Sequence, residues 1–215
     1  PLLDSACAYL PIEGGFDIAP VLGSPSTYVR GGLGGLHGRR LEKGDAVPLA
    51  LAAVQARDER ELAEPFEPGY ERSIRVVLGP QNDHFTDQGV HTFLSAVYTV
   101  SRQADRMGFR LDGPAIQHTN DYNIVSDGVV PGSVQVPGTG RPIVLLVDNQ
   151  TTGGYPKIAT VISADLPLVG RRRPGRSMRF TAVSVREAEQ ARRAQGAEIE
   201  AQIGGLRNVP QESPE

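Results

Sequence analysis

Residues 150–162 read QTTGGYPKIATVI and follow, after Asn149, on the apolar run PIVLLVD (142–148). A hairpin turn is made with about two to five turn residues, typically Gly, Asn, Asp or Pro. Here Gln150, Thr151, Thr152, Gly153, Gly154, Tyr155 and Lys157 crowd the connection between two strand-like runs. Hydroxyls, an amide and an ammonium can orient a small polar molecule, and adjacent glycines let a ligand approach the backbone closely. Three other segments mix glycines with amide, carboxylate or cationic side chains: GPQNDHF (79–85), SRQADRMGFRLDGP (101–114) and SDGVVPGSVQVPG (126–138). Each feature also fits a plain structural role. Asp105 and Arg106 read equally as a surface ion pair, Gln135 as an outward strand residue, and Gly153 with Gly154 as a turn.

Other chemistries lack their residues. His37, His84, His91 and His118 show no ligand spacing, and Cys7 is the single cysteine, so no zinc site is expected. GGLGGLHG (31–38) does not have the G-x-G-x-x-G spacing. Neither a P-loop nor a G-x-S-x-G elbow occurs, so ATP binding by this chain alone and serine-nucleophile hydrolysis have no support. The arginines of GRRRPGR (170–176) read as solvated loop residues around a Pro-Gly turn.

The elements that must position the polar segments are short. The chain has 215 residues, 39% of them hydrophobic, enough for one large or two small domains. A formal net charge of -3 gives no footprint for nucleic acid. One cysteine fits a reducing cytosol, and neither a signal peptide nor an apolar membrane span is present, so a cytoplasmic location is expected. The sequence opens on PLLDSACAYL without a Met, which suggests an incomplete N-terminus.

CAYLPI (7–12), SIRVVLG (73–79), GSVQVP (132–137), PIVLLVD (142–148), IATVIS (158–163) and SMRFTAV (177–183) read as strands of an all-β barrel or sandwich. Two helices stand out. One covers 86–97 with Thr86 as N-cap, and the other 184–206 with a Ser184/Glu187 capping box and a stop at Gly204 and Gly205. RNVPQESPE (207–215) reads as a frayed tail, and the acidic, proline-containing stretch 51–72 as a connector. LEKGDAVPL (41–49) and RRPGRSMRF (172–180) echo each other weakly, as two related barrels would, or as turn-plus-strand chemistry does by chance.

Together, GPQNDHF, SRQADRMGFRL, SDGVVPGSVQVP and QTTGGYPKIATVISADL resemble, in order and spacing, one family. Its members are called allophanate hydrolase subunit 2, the biotin-dependent carboxyltransferase domain of urea carboxylase, or the C subunit of 5-oxoprolinase. GGFDIAPVLGSPSTYVRGGLGGLHGRRLEKGDAV (14–47) resembles the end of that family's first domain. Pro25 and Phe109 depart from its pattern, where a basic residue and a tyrosine are common. The resemblance implies tandem cyclophilin-like β-barrels with a few helices, the first barrel incomplete. Its parts would be the end of the first barrel at 1–50, a linker at 51–72, the second barrel at 73–183, and a helix and tail at 184–215.

The resemblance also implies the C subunit of an ATP-dependent 5-oxoprolinase that opens 5-oxoproline to glutamate. Such a protein would be active only in complex with a B-type subunit (allophanate hydrolase subunit 1) and a lactam-utilisation-type A subunit. No cofactor is expected on this chain alone; ATP would serve the complex. The alternatives are a carboxyltransferase for urea-like amides, using carboxybiotin, and a regulatory protein that antagonises a kinase inhibitor. For a small amide or lactam, Lys157 would supply a cation, and Asp127 or Asp105 a base. Gln150, Thr151, Thr152, Gly153, Gly154, Tyr155, Arg106 and Gln135 would bind substrate.

Overall fold

The structure, a computed structural model, describes residues 5–56, 58–64, 69 and 71–209. The expectations for the opening PLLD, for parts of the connector and for the end of the tail fall partly outside these residues. The chain divides into two compact units, Ala8–Glu59 and Pro1–Cys7 together with Arg60–Glu215.

The larger unit is mostly β. Its strands are β1 (Arg60–Glu61), β2 (Ile74–Leu78), β3 (Tyr98–Asp105), β4 (Gly108–Asp112), β5 (Asp127–Gly128) and β6 (Ser133–Gln135). There follow β7 (Ile143–Leu145), β8 (Thr152–Gly153), β9 (Lys157–Val161), β10 (Ser177–Met178), β11 (Phe180–Ala182) and β12 (Arg207–Asn208). Eight of them form one sheet in the order β10-β3-β4-β7-β6-β9-β2-β11. The two end strands, β10 and β11, are separated in the chain by Arg179 alone, so the sheet nearly closes into a barrel. Closure leaves few unpaired edges, the main hazard of an isolated sheet.

Alternation on β2 sends Ile74 and Val76 inward, where they meet Val100, Val134, Val144, Ile158 and Phe180 in one core. Helix α1 (Asp87–Ser95) starts as expected: the Thr86 hydroxyl accepts the Gly89 N–H at 2.9 Å. The helix sends Phe93 into the barrel, stacked on Phe180 at 4.6 Å between ring centroids. A short α2 (Leu166–Gly170), which no sequence pattern signalled, follows β9. Helix α3 (Val185–Gly204) has the expected Ser184/Glu187 capping box and no buried residue; Gln195 ties it to the Ala164 carbonyl at 3.0 Å.

Three expectations change. The polar run SRQADRMGFRLDGP is mainly the β3–β4 hairpin, because Val100, Phe109 and Leu111 point inward while Arg102, Gln103 and Arg110 face water. The start of the expected frayed tail is strand β12, paired antiparallel with β1 inside the connector, with Arg207 Nε 3.0 Å from Glu61 Oε1. CAYLPI is not a strand, since its residues form no ladder with any described residue.

In Ala8–Glu59, pairing is limited to isolated bridges, Phe16 with Leu49, Val21 with Ser24 and Tyr28 with Leu33, and a 3-10 turn at Val29–Gly31. No described residue of this unit is buried. Within it Arg39 and Asp45 form a two-pronged pair, both bonds at 2.8 Å.

Candidate functional site

Lys157 opens β9, the strand flanked by β6 and β2, and its side chain is only 3% exposed. An ammonium loses strong hydration on burial and needs a partner. The partner is Asp127, whose Oδ2 lies 2.8 Å from Lys157 Nζ. Asp127 itself is 51% exposed and stands on β5, outside the barrel sheet. The glycine-rich loop is the reason it can stand there: β8 pairs with β5, placing Gly153 opposite Asp127 and Thr152 opposite Gly128. Two further backbone bonds fasten the loops together, Val129 N to Thr151 O at 3.1 Å and Ile124 N to Gly154 O at 2.9 Å.

A third side chain joins the pair. After β2 the chain passes Gly79 and Pro80 to Gln81, whose Nε2 donates to Asp127 Oδ2 at 3.0 Å. Gln81 Oε1 accepts the Lys157 N–H at 3.1 Å, and Gln81 N donates to Lys157 O at 3.1 Å. Asp127 Oδ1 accepts the N–H of Gly128 at 2.8 Å. The hydrogen bond from Lys157, then those from Gln81 and Gly128, hold the Asp127 carboxyl below the usual carboxylate range. At neutral pH it is an ionised, acceptor-only group.

Gln135, opposite Lys157 at the end of β6, is 2% exposed, not an outward residue. Its amide makes long bonds only, Nε2 to Tyr155 O at 3.4 Å and Oε1 from Gln150 Nε2 at 3.5 Å. A side chain at Gly153 would fall on that amide nitrogen, which explains the glycine. Gly154 is different: its φ is not positive and a Cβ there would meet only Ile124 O at 3.6 Å and Ser126 Oγ at 3.9 Å. Neither glycine has a positive φ.

Asp105 and Arg106 lie at the β3–β4 turn. The Asp105 carboxylate accepts the Met107 N–H at 2.9 Å, and Arg106 pairs with Asp148 at 3.0 Å rather than with its neighbour. The structure therefore gathers Lys157, Asp127, Gln135, Gln150 and the backbone of Thr152, Gly153 and Tyr155. Gln81 completes the group. The sequence marked its segment GPQNDHF but gave Gln81 no role; a polar side chain directly behind a strand end was the available signal. His118 packs on Phe85 with ring centroids 4.8 Å apart and shares a 3.0 Å hydrogen bond with Val136 O. Among the described residues no group of three His, Cys, Asp or Glu side chains could hold a metal ion, and no helix is long and apolar enough to cross a membrane.

Residues 2–182 match the family described as carboxyltransferase domain, subdomain A and B, and the chain belongs to it. It is 39% identical over 188 residues to the C subunit of 5-oxoprolinase from Escherichia coli K12, covering 87% of this chain and 60% of that protein. It is 30% identical over 218 residues to urea amidolyase of Lachancea kluyveri, covering 90% of this chain and 12% of that protein. The crystal structure of Kluyveromyces lactis urea carboxylase shares the fold, with a TM-score of 0.73 at 24% identity over 94% of this chain and 21% of that one.

Proposed function

We propose that this chain is part of the C subunit of a 5-oxoprolinase complex and that its barrel site binds a small lactam or amide. The observation that carries the reading is the Lys157–Asp127 pair: a buried ammonium whose one hydrogen-bond acceptor among the described residues is an exposed carboxylate. The 39% identity to the 5-oxoprolinase C subunit supports it. Lys157 would oppose negative charge developing on the carbonyl oxygen as the lactam opens. Asp127, held ionised by three donors, is a weak base, so its part is to accept and orient a substrate N–H. The Gln135 amide, held only by long bonds, and the exposed Gln150 are free to re-aim toward the substrate.

ATP use would fall to the complex, with a B-type subunit and a lactam-utilisation-type A subunit as partners. The test is co-expression with such partners and an assay of ATP-dependent 5-oxoproline opening, against the same complex carrying Lys157→Met. Turnover in the wild-type complex, lost in the variant, is the expected result. The 30% identity to urea amidolyase favours a second reading, carboxyl transfer from carboxybiotin to a urea-like amide. Loss of the carboxyl from free carboxybiotin matched by formation of the N-carboxylated amide, with no 5-oxoproline opening, would establish that reading instead.

A further inference from the structure

Asp127 receives little from packing. Strand β5 is two residues long, both exposed, and pairs only with β8. Backbone pairing places the Cα of such a residue but leaves the carboxylate free to rotate, so its direction depends on the groups that hydrogen-bond to it. These are three: Gly128 N, Lys157 Nζ and Gln81 Nε2. Gly128 is its own chain neighbour and moves with it. The lysine donor rotates freely at the end of a four-carbon stem. The Gln81 amide is planar, and it is anchored at its other end.

That anchoring is the unusual feature. Gln81 grips the backbone of Lys157 at two points, accepting its N–H with Oε1 at 3.1 Å and donating its own N–H to its carbonyl at 3.1 Å. Two residues earlier, Gly79 N donates to Ile158 O at 2.9 Å, so the chain behind β2 is laced to the start of β9. The side-chain amide thus bridges the strand that carries the ammonium to the carboxylate that faces it.

We infer that Gln81 is a positioning residue: its amide fixes the Asp127 carboxylate against Lys157 by bracing it on the backbone of β9. The inference rests on the proposed role of the pair in catalysis, but its first readout does not. It predicts that Gln81 acts on Asp127 even in the chain alone, without substrate or partner subunits.

Two variants of the full chain separate positioning from simple support of the β2–β9 junction. Gln81→Met removes both side-chain bonds. Gln81→Glu keeps an oxygen for the Lys157 N–H and loses the donor to Asp127. The carboxyl of Asp127 is titrated by carbon NMR in each, alongside the melting temperature. In both variants the Asp127 titration should move up toward the ordinary carboxylate range, and Gln81→Glu should melt close to wild type. In the assembled complex kcat should fall about tenfold with KM little changed, the cost of a misplaced group. Added to Lys157→Met, Gln81→Glu should lower turnover no further.

An unmoved Asp127 titration in Gln81→Glu, with or without a lower melting temperature, overturns the inference and makes Gln81 a staple between β2 and β9. Should Gln81→Met fail to fold, the neutral Gln81→Leu takes its place, because the new carboxylate of Gln81→Glu raises the Asp127 titration by repulsion alone. If the titration moves in the neutral Gln81→Met and turnover does not, Gln81 still positions Asp127, and it is the catalytic role of the pair that fails.

Discussion

Strand β9 has an ion pair near each end, and the two are built in opposite senses. At its start Lys157 is buried at 3% exposure while its acid, Asp127, is 51% exposed. Four residues beyond its end Asp165 is buried at 2% while its base, Arg75, is 37% exposed. Asp165 is held on both oxygens: it accepts Arg75 N at 2.8 Å, Nε at 3.0 Å and Nη2 at 2.6 Å, a two-pronged guanidinium contact reinforced by the backbone. Lys157 Nζ holds one carboxylate oxygen and keeps donor capacity in reserve. A buried charge gripped on both oxygens by one partner locks two segments together. A buried charge with bonds to spare, behind an exposed counter-ion, is suited to meeting a ligand.

The largest expected effect tests the Asp165 end. Asp165→Ala strips the acceptor from the Arg75 side chain and backbone N–H, and should cost roughly 3 kcal/mol of stability, read as a lower melting temperature. Turnover per folded complex should stay near wild type. Lys157→Met keeps the aliphatic stem and removes the charge, so turnover should fall about a hundredfold, with melting shifted by only a few degrees. Because Lys157 is buried, Lys157→Ala would confound the two readouts by opening a gap, contrary to what an exposed loop lysine would allow. If the effects of Asp165→Ala and Lys157→Met on activity and melting came out exchanged, the contrast between the two ends would be wrong.

A smaller effect sharpens the contrast within the glycine pair. Gly153→Ala pushes on the Gln135 amide and should lower kcat about tenfold, whereas Gly154→Ala has room and should be nearly silent in the same assay.

The smallest effect concerns acid. The folded-state value of Asp127 is depressed, so the stability it contributes is fully present above its unfolded pKa of about 4 and is lost as pH falls through the lower folded value. The difference in melting temperature between wild type and Asp127→Asn should therefore shrink between neutral pH and about pH 3. A difference that grows in acid would show that Asp127 is not held ionised.

The sequence made the buried strands plain and the half-solvated hairpin obscure. SIRVVLG, PIVLLVD and IATVIS are apolar enough to announce β2, β7 and β9. The β3–β4 hairpin carries so many exposed polar residues, Arg102, Gln103 and Asp105 among them, that it read as a ligand-orienting segment. Thr86 and Ser184 revealed their helices because an N-cap is a local device, needing only residues a turn away. The site is the reverse case. Lys157 and Asp127 were recognisable as chemical types, but their contact spans 30 positions, and Gln81 reaches Asp127 across 46. Pairing at that range is decided by barrel closure and by the small β5–β8 ladder, neither of which leaves a spacing rule in the sequence.

The pairing of β1 with β12 has a consequence beyond stability. Arg60 and Asn208 are register partners, so the start of the 60–208 stretch lies beside its end. A module with adjoining entry and exit can be spliced into a host chain without stretching either junction. The 60–208 stretch has the ends of an insertable module, and this chain spans 60% of a bacterial oxoprolinase component and 12% of a fungal amidolyase.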